Sequence, residues 1–302
     1  IVSNVYTLMA IYFDKAVVTV NNINLMADSA TIDYSNTVVP LYSLGRRGSF
    51  IQAPQGSVKS NFNINYYVST VKEPNFTIAN QIRTGHSTFN YTSTQVAIAG
   101  ITGQCYLESY NLKVQPNEPT KASVSYVAYS KLSGSLQSKS DGSPGSSGFS
   151  GAVSGFEGYS GATATTFDMN QLSHGWTTFI SNITNYKDIP TYSFEYNLNA
   201  KWQPIYIIGN KYPIQMQLLG GQESLKLIRD VYKEVQFSGE ELKNYLDVPD
   251  WDINLSNINY VRTSTVSSGI IIDISGAIIK NTNINFALDD IVKLETTAER
   301  FF

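Results

Sequence analysis

The chain has one cysteine, two histidines and an unusually small share of charge. With Cys105 alone, no disulfide can form within the chain, and a disulfide-stapled secreted scaffold is excluded. His86 and His174 each stand apart from other potential ligands. No His-Glu or Cys-Cys metal spacing is present, so both histidines read as structural. The phosphate-cradling pattern Gly-x4-Gly-Lys-Ser/Thr is also missing. "GSSGFSG" (145–151) places glycines around serines, but in low-complexity sequence with no strand-to-helix turn to expose a nucleophile. "DVPDWD" (247–252) gathers three carboxylates without the ligand order or glycine of an EF-hand loop, and reads as a solvated loop. No cofactor or metal is expected, and the chain does not read as an enzyme.

Charged residues make up 15% of the 302 residues, with a net charge of −3. That balance carries no electrostatic footprint for nucleic acid. The single basic pair, Arg46-Arg47 in "GRRG", reads as a solvated turn, with phosphate contact as the sharper alternative. Long apolar runs are absent as well. "VYTLMAIYF" (5–13) is too short to span a bilayer and no basic segment precedes it, so neither a signal peptide nor a membrane partner is expected. A surface poor in charge suits a subunit covered by its neighbours in a large assembly; a secreted β-domain would look similar.

Aromatics are plentiful: 20 Tyr and 14 Phe bring them, with Trp, to 12%. Together with abundant Thr, Val and Ile they favour pleated, half-buried strands. The sequons at Asn75, Asn90, Asn182 and Asn254 are what chance yields in a chain rich in Asn, Ser and Thr.

One pattern occurs twice. "PLYSLG" starts at Pro40 and "PIYIIG" at Pro204, 164 residues later. At the same offset Gly45 matches Gly209, Gly56 matches Gly220 and Ile64 matches Ile228. Upstream, "TIDYS" (31–35) resembles "SFEYN" (193–197) once two extra residues are allowed before Pro204. The ends of the halves also correspond. "YLESYNLKVQPNEPTKASVSYVAY" (106–129) alternates, turns at "QPNEP" and alternates again, which predicts a hairpin. "IIKNTNINFALDDIVKLETTAERF" (278–301) repeats that plan, turning at Asp289-Asp290, with Leu107, Asn111 and Leu112 matching Ile279, Asn283 and Ile284. Between, "EPNFTIANQIRTG" (73–85) predicts a helix with Pro at its start and Phe76, Ile78, Ala79 and Ile82 on one face. "SGEELKNYLDVP" (238–249) predicts its counterpart, with Ser238 as cap.

The expected division is therefore an N-terminal segment (1–18), a first module (19–130), a Gly/Ser-rich stretch (131–175) and a second module (176–302). The stretch reads as a flexible linker. Its recurring Phe149, Val153, Phe156 and Tyr159 also fit an extended arm docking on a neighbouring subunit.

These features resemble the tail-tube modules of contractile phages and siphophages, the fold shared by tail tubes, baseplate hubs and distal-tail proteins. The resemblance rests on the β-module with one flanking helix, on the ending "GQCYLESYNLKVQPNEPTKASVSYVAY" (103–129), and on tandem duplication. It implies a mainly β fold of two tandem sandwich or barrel modules, each with one flanking helix. It also implies a virion protein of the phage tail that self-associates into a ring, as a trimer with pseudo-sixfold symmetry. Other tail proteins would be partners, and DNA would pass through the lumen without specific binding. Arg46, Arg47, Phe149, Phe156, Tyr159, Tyr110 and Asn283 are the candidate assembly contacts. A receptor- or carbohydrate-binding surface protein is the alternative. A glycosidase, which would need two carboxylates about 5–10 Å apart, comes third.

Overall fold

The computed structural model describes residues 17–35, 38–42, 44, 51–54, 58–69, 73–84, 93–134, 173–181, 191–230, 252–257, 270–273, 277–286 and 292–302. It is mainly β, as expected. In chain order the elements are β1 (Val18–Val20), β2 (Ile23–Asn24), β3 (Met26–Ser35), β4 (Val38–Leu41), β5 (Ile51–Pro54), β6 (Lys59–Tyr67), α1 (Pro74–Thr84), β7 (Thr94–Ile98), β8 (Ile101–Val114) and β9 (Lys121–Ala128). They continue with β10 (Ser133–Gly134), β11 (Ser173–Ser181), β12 (Thr191–Ile205), β13 (Gln215–Asp230), β14 (Asp252–Asn257), β15 (Ile270–Asp273), β16 (Ile278–Asn285) and β17 (Lys293–Phe301). Twelve strands join in one hydrogen-bonded sheet, β11, β14 and β15 form a second, and β4 pairs with β5. Every pairing is antiparallel.

The two halves of the main sheet have the same strand order. In the first it runs β3-β6-β9-β8, in the second β12-β13-β17-β16. Their irregularities coincide too. Asp28 bulges out of β3, between the pairs Ala27↔Tyr66 and Ser29↔Asn65. Tyr192 bulges out of β12, between Thr191↔Arg229 and Ser193↔Ile228. Glu108 does so in β8, between Leu107↔Tyr126 and Ser109↔Ser125, and Lys280 in β16, between Ile279↔Ala298 and Asn281↔Thr297. A bulge inserts one residue and bends its strand. Two bulges at matching places therefore fix which residues correspond.

On that register Leu107, Asn111 and Leu112 are placed relative to their bulge as Ile279, Asn283 and Ile284 are to theirs. Two other matches shift. Ile64 faces the core, as does its counterpart Leu227, whereas Ile228 points to the other face. The counterpart of Ile32 is Tyr196, because each lies opposite a core residue of the next strand, Phe62 and Leu225. The acid-Tyr resemblance of "TIDYS" to "SFEYN" is thus displaced by two residues. A two-residue shift keeps every side chain on its face, so alternation alone cannot reveal it.

The predicted first helix is α1. Its buried side chains include Ile78, Ala79 and Ile82, and Phe76 packs at the edge of the core. Asn75 is fully buried, where its amide oxygen accepts a hydrogen bond from the Tyr126 hydroxyl at 2.6 Å. β8 serves two partners in turn: residues 101–105 pair with β7 and residues 106–113 with β9. The β7–β8 turn has Ala99 and Gly100 at φ 50° and 87°, the two positive values a tight two-residue hairpin requires. The buried Val18, Val20, Val96 and Ile98 of this branch join the same hydrophobic cluster as α1 and the main sheet.

That cluster does not break between the halves. Tyr110, Leu112 and Val114 of β8 are buried with Phe194, Tyr196 and Leu198 of β12. The stretch expected to link the modules is anchored at its end to the first half. The Ser173 N–H donates to the Val68 carbonyl, and the Ser173 carbonyl accepts from the Thr120 N–H, both at 2.9 Å. The expected second helix (238–249), the "GRRG" loop, His86, residues 247–251 of the acidic cluster, the Asp289-Asp290 turn and the arm aromatics Phe149, Val153, Phe156 and Tyr159 lie outside the described residues.

Candidate assembly interface

A sheet edge presents unpaired N–H and C=O groups, and a protein must either cover it or use it. Among the described residues β3 pairs only with β6, and β16 only with β17, so these strands are the two open ends of the eight-strand array. By strand order, β3 is the counterpart of β12 and β16 the counterpart of β8. β8 and β12 are paired with each other within the chain. The open ends thus hold the same places in strand order as the two strands that meet at the join.

The join shows what such a meeting looks like. Residues 109–114 of β8 run antiparallel to residues 194–199 of β12, with Leu112 opposite Tyr196, Asn111 opposite Asn197 and Tyr110 opposite Leu198. On the core face Tyr110 and Tyr196 pack with ring centroids 6.3 Å apart. On the other face Asn111 Nδ2 donates to Glu195 Oε1 at 2.8 Å and to Asn197 Oδ1. Apolar contacts thus close one side, and an amide ladder closes the other.

The open ends carry the same division of labour with no second strand beside them among the described residues. On the core face of β3, Ile32 lies opposite buried Phe62, and Tyr34, opposite buried Ser60, is 60% exposed. On the core face of β16, Ile284 lies opposite buried Leu294, and Phe286 just beyond is 77% exposed. Among the described residues, each rim thus leaves one large aromatic side chain exposed. The opposite face is mainly polar: beside Ile228 and Ile278 it carries Asn61, Asn63 and Asn65 of β6, Ser123 and Ser125 of β9, Asn111 and Asn197 at the join, and Asn281, Asn283 and Asn285 of β16. Its charges have both signs, with Lys226 and Glu295 paired at 2.8 Å.

The second Pro-x-Tyr-x-x-Gly pattern falls at a hairpin tip, and the first starts in β4. In the second half β12 and β13 extend past the sheet, and the Ile214 N–H closes the loop on the Ile205 carbonyl at 2.9 Å. Gly209 turns the tip at φ 94°, a conformation other residues rarely adopt. In the first half β4 and β5 form the corresponding hairpin. Leu44 and Ile208, equivalent at the offset of 164, are fully exposed, and Tyr42 and Tyr206 are exposed beside them.

Of the candidate contacts, Asn283 is exposed on the open strand β16. Tyr110 is interior, 1% exposed between Phe76 and Tyr196, so its side chain serves the join within the chain and is not available to a second subunit. Arg46, Arg47, Phe149, Phe156 and Tyr159 lie outside the described residues. Sequence reasoning missed the rim residues Ile32, Asp33 and Tyr34. "TIDYS" stands out as half of a repeat, but alternation does not tell an edge strand from a central one.

Two clefts on the described surface hold about 110 and 240 Å³, below the roughly 300–1,000 Å³ of typical small-ligand sites. The first is lined by Tyr106, Tyr129 and Tyr212, the second by Asn65, Asn111 and Lys121. Among the described residues no three His, Cys, Asp or Glu side chains are grouped to hold a metal, and no helix is long and apolar enough to cross a membrane.

No family model matches the sequence, and no curated protein matches it. Among solved structures, a chain from the virion of a native gene transfer agent particle is similar over 42% of this chain and 99% of that chain, at 13% identity and a TM-score of 0.32.

Proposed function

We propose that the chain is a structural virion protein of the tail-tube or baseplate-hub type: two copies of one β-module that self-associate head to tail into a closed ring. The observation that carries this reading is the identity of the open ends. β16 and β3 correspond to β8 and β12, which already pair inside the chain. An interface between different surfaces of identical subunits is heterologous, and it closes into a ring when the rotation per subunit divides a full turn. Two modules per chain let three chains supply a six-module ring.

In such a ring the cores merge around the circumference, as they do at the join. The Asn/Ser face lines the channel. Amides and hydroxyls, with charges of both signs, let DNA pass without the phosphate neutralisation that would hold it. The exposed hairpin tips with Leu44 and Ile208 are the surfaces offered to other virion proteins above or below. The polypeptide acts by shape and self-association, not by catalysis.

Mass measurement of the purified chain, with particle imaging, tests this reading. A closed oligomer built from three chains is expected. A chain that stays monomeric up to high concentration overturns it. The exposed tip tyrosines Tyr42 and Tyr206 favour one other reading, a receptor- or carbohydrate-binding virion protein. It predicts binding by the isolated chain on a glycan array.

A further inference from the structure

The join within the chain also specifies how one chain would meet the next, residue by residue. This inference rests on the ring reading and adds a register to it. The bulges set β8 against β16 at an offset of 172 residues, so Asn111 corresponds to Asn283 and Glu108 to Lys280. They set β12 against β3 at 164, so Asn197 corresponds to Asp33 and Tyr192 to Asp28. At the join Asn111 lies opposite Asn197. We infer that β16 of one copy pairs antiparallel with β3 of a second copy of this chain, with Asn283 opposite Asp33, Ile284 opposite Ile32 and Thr282 opposite Tyr34.

The side chains fit that register on both faces. Toward the core, Ile284 meets Ile32, both half-buried before pairing, and Tyr34 stands at the register position opposite Thr282. One residue beyond β16, the exposed Phe286 comes to lie against Ala30, a side chain small enough to leave it room. Toward the polar face, the Asn283 amide takes the place of the Asn111 amide, whose N–H groups donate across the join. It finds an Asp33 carboxylate where Asn111 finds an amide oxygen, giving a charge-assisted hydrogen bond, stronger than its neutral counterpart. A shift of one residue would turn Ile284 and Ile32 to opposite faces, and a shift of two would set Ile284 against Tyr34 and Asn283 against Ser35.

Cysteine pairs read the register directly in the full chain. Directly opposed residues in antiparallel strands have Cα atoms about 4.5–5.5 Å apart, within the range a disulfide spans. The native Cys105 is buried and its thiol is pushed up to about 12, so it stays out of exchange. The double variants Asp33→Cys/Asn283→Cys and Tyr34→Cys/Thr282→Cys should form intermolecular disulfides under mild oxidation. The pair shifted by two, Asp33→Cys/Asn281→Cys, should not. Non-reducing electrophoresis reads the result, and particle imaging of each variant shows whether rings are present. Rings with cross-links only in the shifted pair, or in none, overturn the register and leave the ring standing. Absence of rings in the unmodified chain overturns both. A single Asn283→Asp variant, which sets two carboxylates face to face, should lose assembly at low salt and regain part of it when salt screens the repulsion. Assembly unchanged by that substitution also counts against the register.

Discussion

The indole N–H of Trp202 donates to the carbonyl of Leu107 at 2.6 Å, and its ring packs on Tyr106 with centroids 5.1 Å apart. Trp202 belongs to β12 and Leu107 to the edge of the β8 bulge, so this bond ties the second half of the sheet to the first. A Trp202→Phe substitution keeps an aromatic there and removes the donor. It should lower stability by about 1–2 kcal/mol, the usual cost of leaving a carbonyl unpaired, seen as an earlier denaturant midpoint with unchanged slope.

Glu223 is 1% exposed and is held by Arg300, directly opposite on β17, and by the Tyr196 hydroxyl at 2.9 Å. An Arg300→Met substitution strands the carboxylate in the core. It should cost about 3–5 kcal/mol, whereas adding Glu223→Gln should restore most of that loss. Denaturant titration of the single and double variants gives the comparison.

Glu73 is buried at the start of α1, where it accepts from the Tyr66 hydroxyl at 2.6 Å, and burial pushes its carboxyl up to about 7. A raised folded-state value means that the folded chain keeps a proton the unfolded chain has released. The stabilisation contributed by this group should therefore be largest below about 4.5, fall as pH rises from there through about 7, and level off above. The fall attributable to this group is about 3 kcal/mol, from the size of the shift. Comparing Glu73→Gln with the parent across that window isolates it: the variant should lose this slope and keep the rest of the pH profile.

Gly221 sits where β12, β13 and the chain's last residue meet. A Cβ there would lie 2.6 Å from the Asn199 carbonyl oxygen and 2.3 Å from the Phe302 ring. The ring can swing away, but the backbone of β12 cannot. Gly221→Ala should destabilise by about 1–3 kcal/mol through this overpacking. It should also free Phe302, whose N–H and carbonyl bond to Gly221 at 3.1 and 2.9 Å. Thermal unfolding measures the first effect and amide exchange at Phe302 the second.

Local features of this fold are readable from sequence because they depend on few residues. The α1 stripe at Phe76, Ile78, Ala79 and Ile82 repeats at helical spacing. The hairpin 106–129 announces itself by alternation on either side of "QPNEP", and Asn117 indeed takes a positive φ of 62° in its turn. The like placing of Asn111 and Asn283 after their bulges is visible because both strands keep one alternating pattern. What stays hidden is non-local. That Glu108 and Lys280 bulge is decided by pairing with β9 and β17, not by either residue. That Tyr110 is interior while Asn283 is exposed follows from β12 covering β8, while among the described residues no strand pairs with the far side of β16. The rim residues Asp33 and Tyr34 become a candidate interface only once strand order shows β3 at an end.

The bulges at Glu108 and Lys280 share a place in the two halves but differ in sign. Glu108 reaches Lys59 at 3.5 Å, and Lys280 reaches Glu299 at 2.8 Å. A hexamer of one simple module would show the same charge at all six kinks. In the proposed ring of three chains the bulged strand would supply the acid of the ion pair at one kink and the base at the next, so a three-armed partner would have only two ways to sit. The doubling would thus give an otherwise uniform wheel a set of distinguishable footholds.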